Sequence, residues 1–521
     1  MTSAERAAEP RPSGDGPVPN VSARGLALAD ETEEAALGLV RTLCAALSAE
    51  GIRYCHWKSN EALDRSASGD NDLDLLVSRA DARGFEAIIG KLGFKNARPP
   101  SNKEMPGVFH AYGLDAPSGK LVHIHAHYQL VLGDDMTKNY RLPLEEAYLA
   151  SAEQGPVFRI PTAEFEFVVF VLRMVLKHSM LDALVSHQGS LSPSEARERE
   201  YLLLRTDPAR ATSIVLEHLP FVGRVLWERC VRCLDQGTSQ RVRIATAHRL
   251  ERALAAHARR NPLLDAPLRL LRRGRVIVRR RVLHRPAPRG HLESGGALIA
   301  LVGGDGAGKS TAVEELRRWL SKDFAVTEVH LGKPRRSLTT SLVQRVWKGS
   351  VRRGSRGATV AELVGSQASS ISARTYVKLV QHAMIARDRS LTYERARRAV
   401  SAGDIVIADR FPLPAVTLMD SPIAPRLLGT RRSNGVASRL ARLERRYYER
   451  IGRPDVLIVL RVGADVAAER KRGTDDAAVV RLRSEEISRV DWSGSGAVLV
   501  DADRSKDAVV NEIKSAVWSR L

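Results

Sequence analysis

Eight consecutive residues, Gly303-Gly304-Asp305-Gly306-Ala307-Gly308-Lys309-Ser310, hold four glycines, a lysine and a hydroxyl at the spacing G-x-x-x-x-G-K-S. Backbone with so few side chains can curl around an anion and aim successive N–H groups at it. An apolar run, Ala297–Val302, precedes the loop, and a helical stretch opening with Thr311 and reaching Leu320 follows it. The positive end of that helix adds to the attraction for phosphate. In this setting Lys309 is placed to bridge the β- and γ-phosphates of a nucleoside triphosphate, and the Ser310 hydroxyl to hold Mg²⁺ across them.

Three further blocks carry charge at places where phosphate chemistry can use it. Gly403-Asp-Ile-Val-Ile-Ala-Asp409-Arg410-Phe411 is an apolar strand ending in a carboxylate and a guanidinium. Ala386-Arg387-Asp388-Arg389 lies on a long helical stretch, and Glu469-Arg470-Lys471-Arg472-Gly473-Thr474-Asp475-Asp476, with Arg481 and Arg483 beyond, concentrates arginine. Together with the loop, these blocks resemble the thymidylate kinases from about Gly295 to the end of the chain. The resemblance implies an α/β P-loop nucleotide-kinase fold: a five-stranded parallel sheet with helices on both faces. It also implies ATP and Mg²⁺ as cofactors, bound by Gly303 to Thr311.

By the same resemblance Asp305 contacts the acceptor, Asp409 orders the metal's water shell, and Arg410 with Arg387 or Arg389 grips the acceptor phosphate. Arg470 and Arg472 sit where that family carries a lid that closes over ATP, and a lid excludes water while it delivers positive charge. The implied reaction is transfer of a phosphoryl group from ATP to a nucleoside monophosphate, dTMP above all. Two blocks depart from the family pattern. Asp409-Arg-Phe-Pro-Leu-Pro-Ala-Val-Thr417 replaces a Ser-Ser-x-Ala-Tyr-Gln-like run, and His330-Leu-Gly-Lys-Pro-Arg-Arg336 replaces Arg-Glu-Pro-Gly. The acceptor therefore stays open to a sugar or another small phosphorylated metabolite, and an ATP-sensing module without turnover is the alternative from another class.

Near the N-terminus, Tyr54-Cys-His-Trp-Lys58-Ser59-Asn60 is followed by Asp70-Asn-Asp72-Leu-Asp74-Leu-Leu-Val77. Carboxylates two residues apart on a strand share one face, so Asp72 and Asp74 are candidates to share Mg²⁺. These blocks resemble the nucleotidyltransferase superfamily, in which a third carboxylate comes from a later strand. Here that strand reads Leu121-Val-His123-Ile-His125-Ala-His127-Tyr-Gln129, with His125 at the expected place of the acid. The domain is read as an active nucleotidyltransferase or as a ligand-binding relative that has lost the reaction.

The elements that must position these groups divide the 521 residues into five stretches. A disordered leader is expected over 1–34, a nucleotidyltransferase-like α+β domain over 35–150, a helical region over 151–265, a basic linker over 266–294 and the P-loop domain over 295–521. Five short apolar strands are expected in the last: Ala297–Val302, Val326–Leu331, Asp404–Ala408, Val456–Val462 and Ala497–Val500. The apolar run from Phe165 to Leu176 carries Glu166 and Arg173 and is too short to cross a bilayer, so it reads as a buried helix.

Four cysteines make no disulfide framework, and the Cys230/Cys233 pair lies in a helical segment, which fits a cytoplasmic protein. The net charge of +21 is concentrated, with fifteen arginines between Arg241 and Gly290 against only Glu251 and Asp265. That stretch reads as a solvated connector, with an anionic membrane or another polyanion meeting 268–289 as the competing reading. The expected partners are a nucleotide or small phosphorylated substrate and a second copy of the chain, with no specific nucleic acid.

Overall fold

The computed structural model describes residues 30–100, 104–178, 191–235, 237–332, 334, 373–429 and 435–521. Most of the expected leader lies outside these residues, and Asp30 to Ala35 at its end are helical rather than disordered. The chain forms two compact units, each assembled from two stretches: Met1–Glu86 with His125–Arg269, and Ala87–Ile124 with Leu270–Leu521.

In the first unit Tyr54–His56 pairs antiparallel with Leu73–Val77, matching Tyr54 to Val77 and His56 to Leu75. The helix Ala163–Lys177 buries every residue from Phe167 to Leu176 except Arg173, as its apolar sequence requires. Helices Pro193–Leu203, Pro208–His218, Gly223–Cys233 and Gln240–Ala253 contribute to the same core, among them Trp227, Cys230 and Leu250. Proline opens the first two of these four, where its missing N–H costs nothing, and Ser192 with Glu195 forms a capping box.

The second unit holds a five-stranded parallel sheet in the order Val326–His330, Ile405–Asp409, Ala297–Gly303, Val456–Arg461, Val498–Asp501. All five lie within one residue of the expected bounds. Alternate residues of the central strand enter different cores. Ile299 and Leu301 pack with Leu316, Leu320, Ile513 and Val517 from helices Lys309–Leu320 and Lys506–Arg520, whereas Leu298 and Ala300 pack with Tyr393, Ala396 and Ile487. Tyr393 and Ala396 belong to helix Ala373–Ser401, and Ile487 to Ala477–Arg489. The long apolar runs follow from this burial on both faces.

The expected boundaries near 150 and 266–294 differ from the compact units. Strand Lys95–Arg98 pairs antiparallel with Val108–Asp115 and with His291–Leu292, and Ala97, Tyr112 and Leu292 share a core with Phe324 and Trp518. Residues 87–124 therefore belong with the C-terminal unit, because that is where their apolar side chains are buried. Most of the expected linker is also ordered, as helix Pro262–Ile277 continuing into a π-helical turn, Val278–Val282. Among the described residues no helix is long and apolar enough to cross a membrane.

Gly296, at the entrance to the central strand, has no room for a side chain: a Cβ there would lie 2.3 Å from the Asp404 carbonyl oxygen and 2.5 Å from that of Val400. Gly296→Ala is expected to destabilise the second unit by about 1–3 kcal/mol, measured by urea unfolding. An unchanged unfolding midpoint would contradict this packing.

Candidate functional site

The loop 303–310 leaves the C-terminal end of the central strand and feeds directly into helix Lys309–Leu320. Gly306 and Gly308 adopt φ of 82° and 84°, and a Cβ on Gly306 would lie 2.7 Å from the Ala467 carbonyl oxygen, so glycine is required there both by conformation and by space. Lys309 is buried, and its Nζ donates to the carbonyl oxygens of Gly303 (2.8 Å) and Gly304 (2.7 Å). Burial pushes the Lys309 pKa down to about 8 against the opposing pull of Asp305. Ser310 is exposed one residue on.

Asp305 is buried and salt-bridged to two arginines, Arg483 through Nη1 at 2.6 Å and Arg410 through Nη2 at 3.3 Å. Burial works to raise its pKa, but the Arg483 hydrogen bond and the charges of Arg483, Lys309 and Arg410 outweigh it, so the carboxyl is held below its usual range. Asp409 ends the neighbouring strand with Oδ2 3.5 Å from His330 Nε2, and its buried Oδ1 has no hydrogen-bond partner. The unsatisfied Asp409 oxygen, on the strand paired with the loop strand, and the exposed Ser310 on the loop are the groups that would hold a Mg²⁺ ion, which prefers one or two carboxylates and several waters.

Beside the loop, a cavity of about 330 Å³ is lined by Lys378, Arg389, Arg410, Arg426 and Arg483, with Asp420 as a carboxylate among them. Arg389 is held rigidly: Nε donates to Leu331 O at 2.6 Å, Nη2 to Gly332 O at 3.1 Å, and Nη1 to Asp420 O at 3.0 Å and to the Tyr448 hydroxyl. Of the two helical arginine candidates, Arg389 lines this cavity and Arg387 does not. Arg410 has a left-handed backbone, φ 55°, which costs a non-glycine residue energy and is typical of functional sites. Glu486 fixes the loop after Arg410 by accepting from the backbone N–H groups of Thr417 and Leu418, and Glu444 does the same at Ile423 and Ala424.

The arginines of the expected lid are arranged differently from the sequence expectation. Arg472 is 78% exposed and paired with Glu469 on its own turn, away from the loop. Arg470 donates to Ala502 O at 3.1 Å and to Gly306 O at 3.4 Å, so it braces the loop from outside. Arg483 is the one that reaches Asp305, from a helix that buries Val480, Ser484 and Ile487. A helical-face count on the sequence places position 483 beside these buried residues. The basic run at His330 continues into residues 333, 335 and 336, which lie outside the described residues.

In the first unit Asp74 and Asp72 part company. Asp72 is exposed just ahead of the strand, whereas Asp74 Oδ1 lies 2.9 Å from both Lys58 Nζ and His125 Nδ1. Ligand atoms of Asp74, His125 and His127 lie within 4.8 Å of one another. His127 is buried edge-on to Trp57, with neither ring nitrogen hydrogen-bonded, and burial together with the charges of His125 and Lys58 keeps it neutral. His123 goes elsewhere: it stacks on Tyr112 at 4.2 Å and meets His110 at 3.1 Å. Alternation along a strand puts His123, His125 and His127 on one face, but only His125 and His127 approach the carboxylate.

No family model matches the chain. Over 228 residues, 42% of its length, it is 25% identical to an Escherichia coli K12 protein named "Uncharacterized ATP-binding protein YghR", of which the match covers 86%. The protein of the same name in the E. coli strain CFT073 matches to the same extent.

Lys309 generates a pH prediction. Burial lets its ammonium be lost above about 8, while bound phosphates favour the charged form, so binding above that pH takes up a proton. ATP affinity is expected to be level below this pH and to fall above it, towards about tenfold per unit, with proton uptake measurable by calorimetry in buffers of different ionisation enthalpy. Binding at alkaline pH without proton uptake would contradict the assignment.

Proposed function

We propose that the second unit is a P-loop phosphotransferase that moves the terminal phosphoryl group of ATP onto a small phosphorylated acceptor. The observation that carries this reading is the shared position of Arg410 and Arg483. Both contact Asp305 inside the phosphate loop and both line the cationic cavity beside it. A loop that only held ATP has no use for a second, arginine-walled cavity at the same carboxylate. Similarity to a protein named for ATP binding supports the donor, and the sheet order, with the loop strand in the centre, supports a nucleotide-kinase fold.

In this reading the loop amides and Lys309 receive the β- and γ-phosphates, and the lysine leaves its two backbone carbonyls to do so. An oxygen of the acceptor's phosphate attacks the γ-phosphorus in line, the bond to the β-phosphate oxygen breaks, and ADP departs. Mg²⁺ held near Ser310 and Asp409 neutralises charge on the transferring group when bound. Arg389, its donors taken by Leu331, Gly332, Asp420 and Tyr448, stiffens the cavity wall, which leaves Arg410 and Arg426 to meet the acceptor phosphate. Asp305 keeps Arg410 and Arg483 aimed between the two anions, where they meet the charge that spreads over the equatorial oxygens.

dTMP is the first acceptor to test, as the sequence resemblance implies. A second reading, a non-nucleotide phosphorylated metabolite, is favoured by one observation. Among the described residues lining the cavity the only aromatic side chains are Tyr448 and His382, and Tyr448 is already engaged by Arg389, its ring 5.2 Å from that guanidinium.

The test is ADP release from ATP and Mg²⁺ with dTMP, other nucleoside monophosphates and sugar phosphates in parallel. Lys309→Ala is expected to abolish turnover, and Arg483→Ala to lower kcat about 10²-fold with little change in the KM for ATP. Turnover with sugar phosphates alone would select the second reading. ATP binding with no turnover on any acceptor would replace both by an ATP-sensing module.

A further inference from the structure

Helix Pro262–Ile277 is turned the wrong way round for a surface helix. Its polar side faces the protein: Asp265 and Arg269 are buried, joined at 2.6 Å, with Arg269 also bound to Glu251 at 2.9 Å and Asp265 to the Thr137 hydroxyl at 3.1 Å. Its apolar side faces outward. Leu263, Leu264, Leu270, Leu271, Ile277 and Val278 are between 46% and 83% exposed, and the pairs recur every seven residues, two helical turns apart. Val282 and Leu283 extend the stripe through the following turn at 66% and 54% exposure. A contiguous outward stripe of this kind marks an interaction surface.

The charge around it says which. Nine arginines and no carboxylate lie between positions 268 and 289. Arg275, Arg280, Arg281 and Arg285 are exposed beside the stripe. We propose that the segment 262–285 docks the protein on a membrane surface rich in anionic phospholipid, lying in the plane of the interface. The leucines enter the boundary of the acyl chains while the arginines meet the lipid phosphates. Nucleic acid offers the phosphates but no apolar depth for six large aliphatic side chains. A second copy of the chain offers the apolar face but sets one arginine cluster against another.

The experiment is co-sedimentation of the full chain with vesicles of phosphatidylcholine alone and of phosphatidylcholine mixed with phosphatidylglycerol, read with duplex DNA binding and light scattering of the vesicle-free protein. The mixed vesicles are expected to carry the protein down and the neutral ones to leave it in solution. Leu270→Ser/Leu271→Ser/Ile277→Ser and, separately, Arg275→Gln/Arg280→Gln/Arg281→Gln should each lower the partition by about tenfold or more, with circular dichroism and melting temperature unchanged. The arginine set, which leaves the apolar stripe intact, decides the matter should the serine set unfold. The proposal is overturned by failure to bind mixed vesicles or by wild-type binding in either folded variant. Equal binding to neutral vesicles, DNA binding without vesicle binding, or a dimer that the serine set dissociates would overturn it too.

Discussion

An ammonium group taken out of water must find oxygen atoms, and in the second unit the phosphate loop provides them from its own backbone. Lys309 is held by the carbonyls of Gly303 and Gly304, the first two residues of the loop it serves. That closure works only if the loop turns tightly enough to bring residues five and six positions apart together, which is why Gly306 and Gly308 adopt conformations closed to most side chains. The next charge along, Asp305, is then also buried, and it in turn requires Arg483 and Arg410. Arg410 reaches it by a left-handed turn immediately after the neighbouring strand. The cavity beside the loop is thus tied to the loop: the arginines that balance Asp305 also stand in its wall.

The three inner parallel strands were legible in the sequence because burial on both faces leaves little that is polar in a run such as Ala297-Leu-Ile-Ala-Leu-Val302. The loop was legible because few sequences satisfy its spacing. Residues 87–124 were not, since strand Lys95-Asn-Ala-Arg98 has little apolar signal and one of its partners is His291–Leu292, nearly two hundred positions away. The arginine-rich segment from Glu469 was only half legible: Arg470, Arg472 and Arg483 look alike in composition, and only their places in the fold separate a surface ion pair from a contact with Asp305.

In the first unit one of a pair of carboxylates with metal-sharing spacing meets cations instead. Asp72-Leu-Asp74 has the spacing to share metal ions, and two-metal catalysis depends on several carboxylates holding excess negative charge. Asp74 instead has Lys58 and His125 both at 2.9 Å, so the charge it carries is already balanced within the unit. His127 beside them is buried and neutral. The sequence placed His125 opposite the carboxylate correctly, but it gave no sign that Lys58 would occupy the same oxygen.

Net charge also divides by structural role in this protein. Arg389 spends its donors on three backbone carbonyls, those of Leu331, Gly332 and Asp420, on the Tyr448 hydroxyl and on the Asp420 carboxylate. Arg269 is buried between Asp265 and Glu251, and Arg173 is salt-bridged to Glu198 at 2.6 Å. Guanidinium groups suit such positions because they are weakly hydrated and present a rigid fork of donors. These cations contribute to the formal +21 but send little field into solvent, since their partners cancel them locally. The charge a distant polyanion would meet is that of the exposed arginines, and those of 275–285 stand beside the outward apolar stripe. A composition rich in arginine therefore describes two physical devices, an internal clamp and an external field, and burial is what tells them apart.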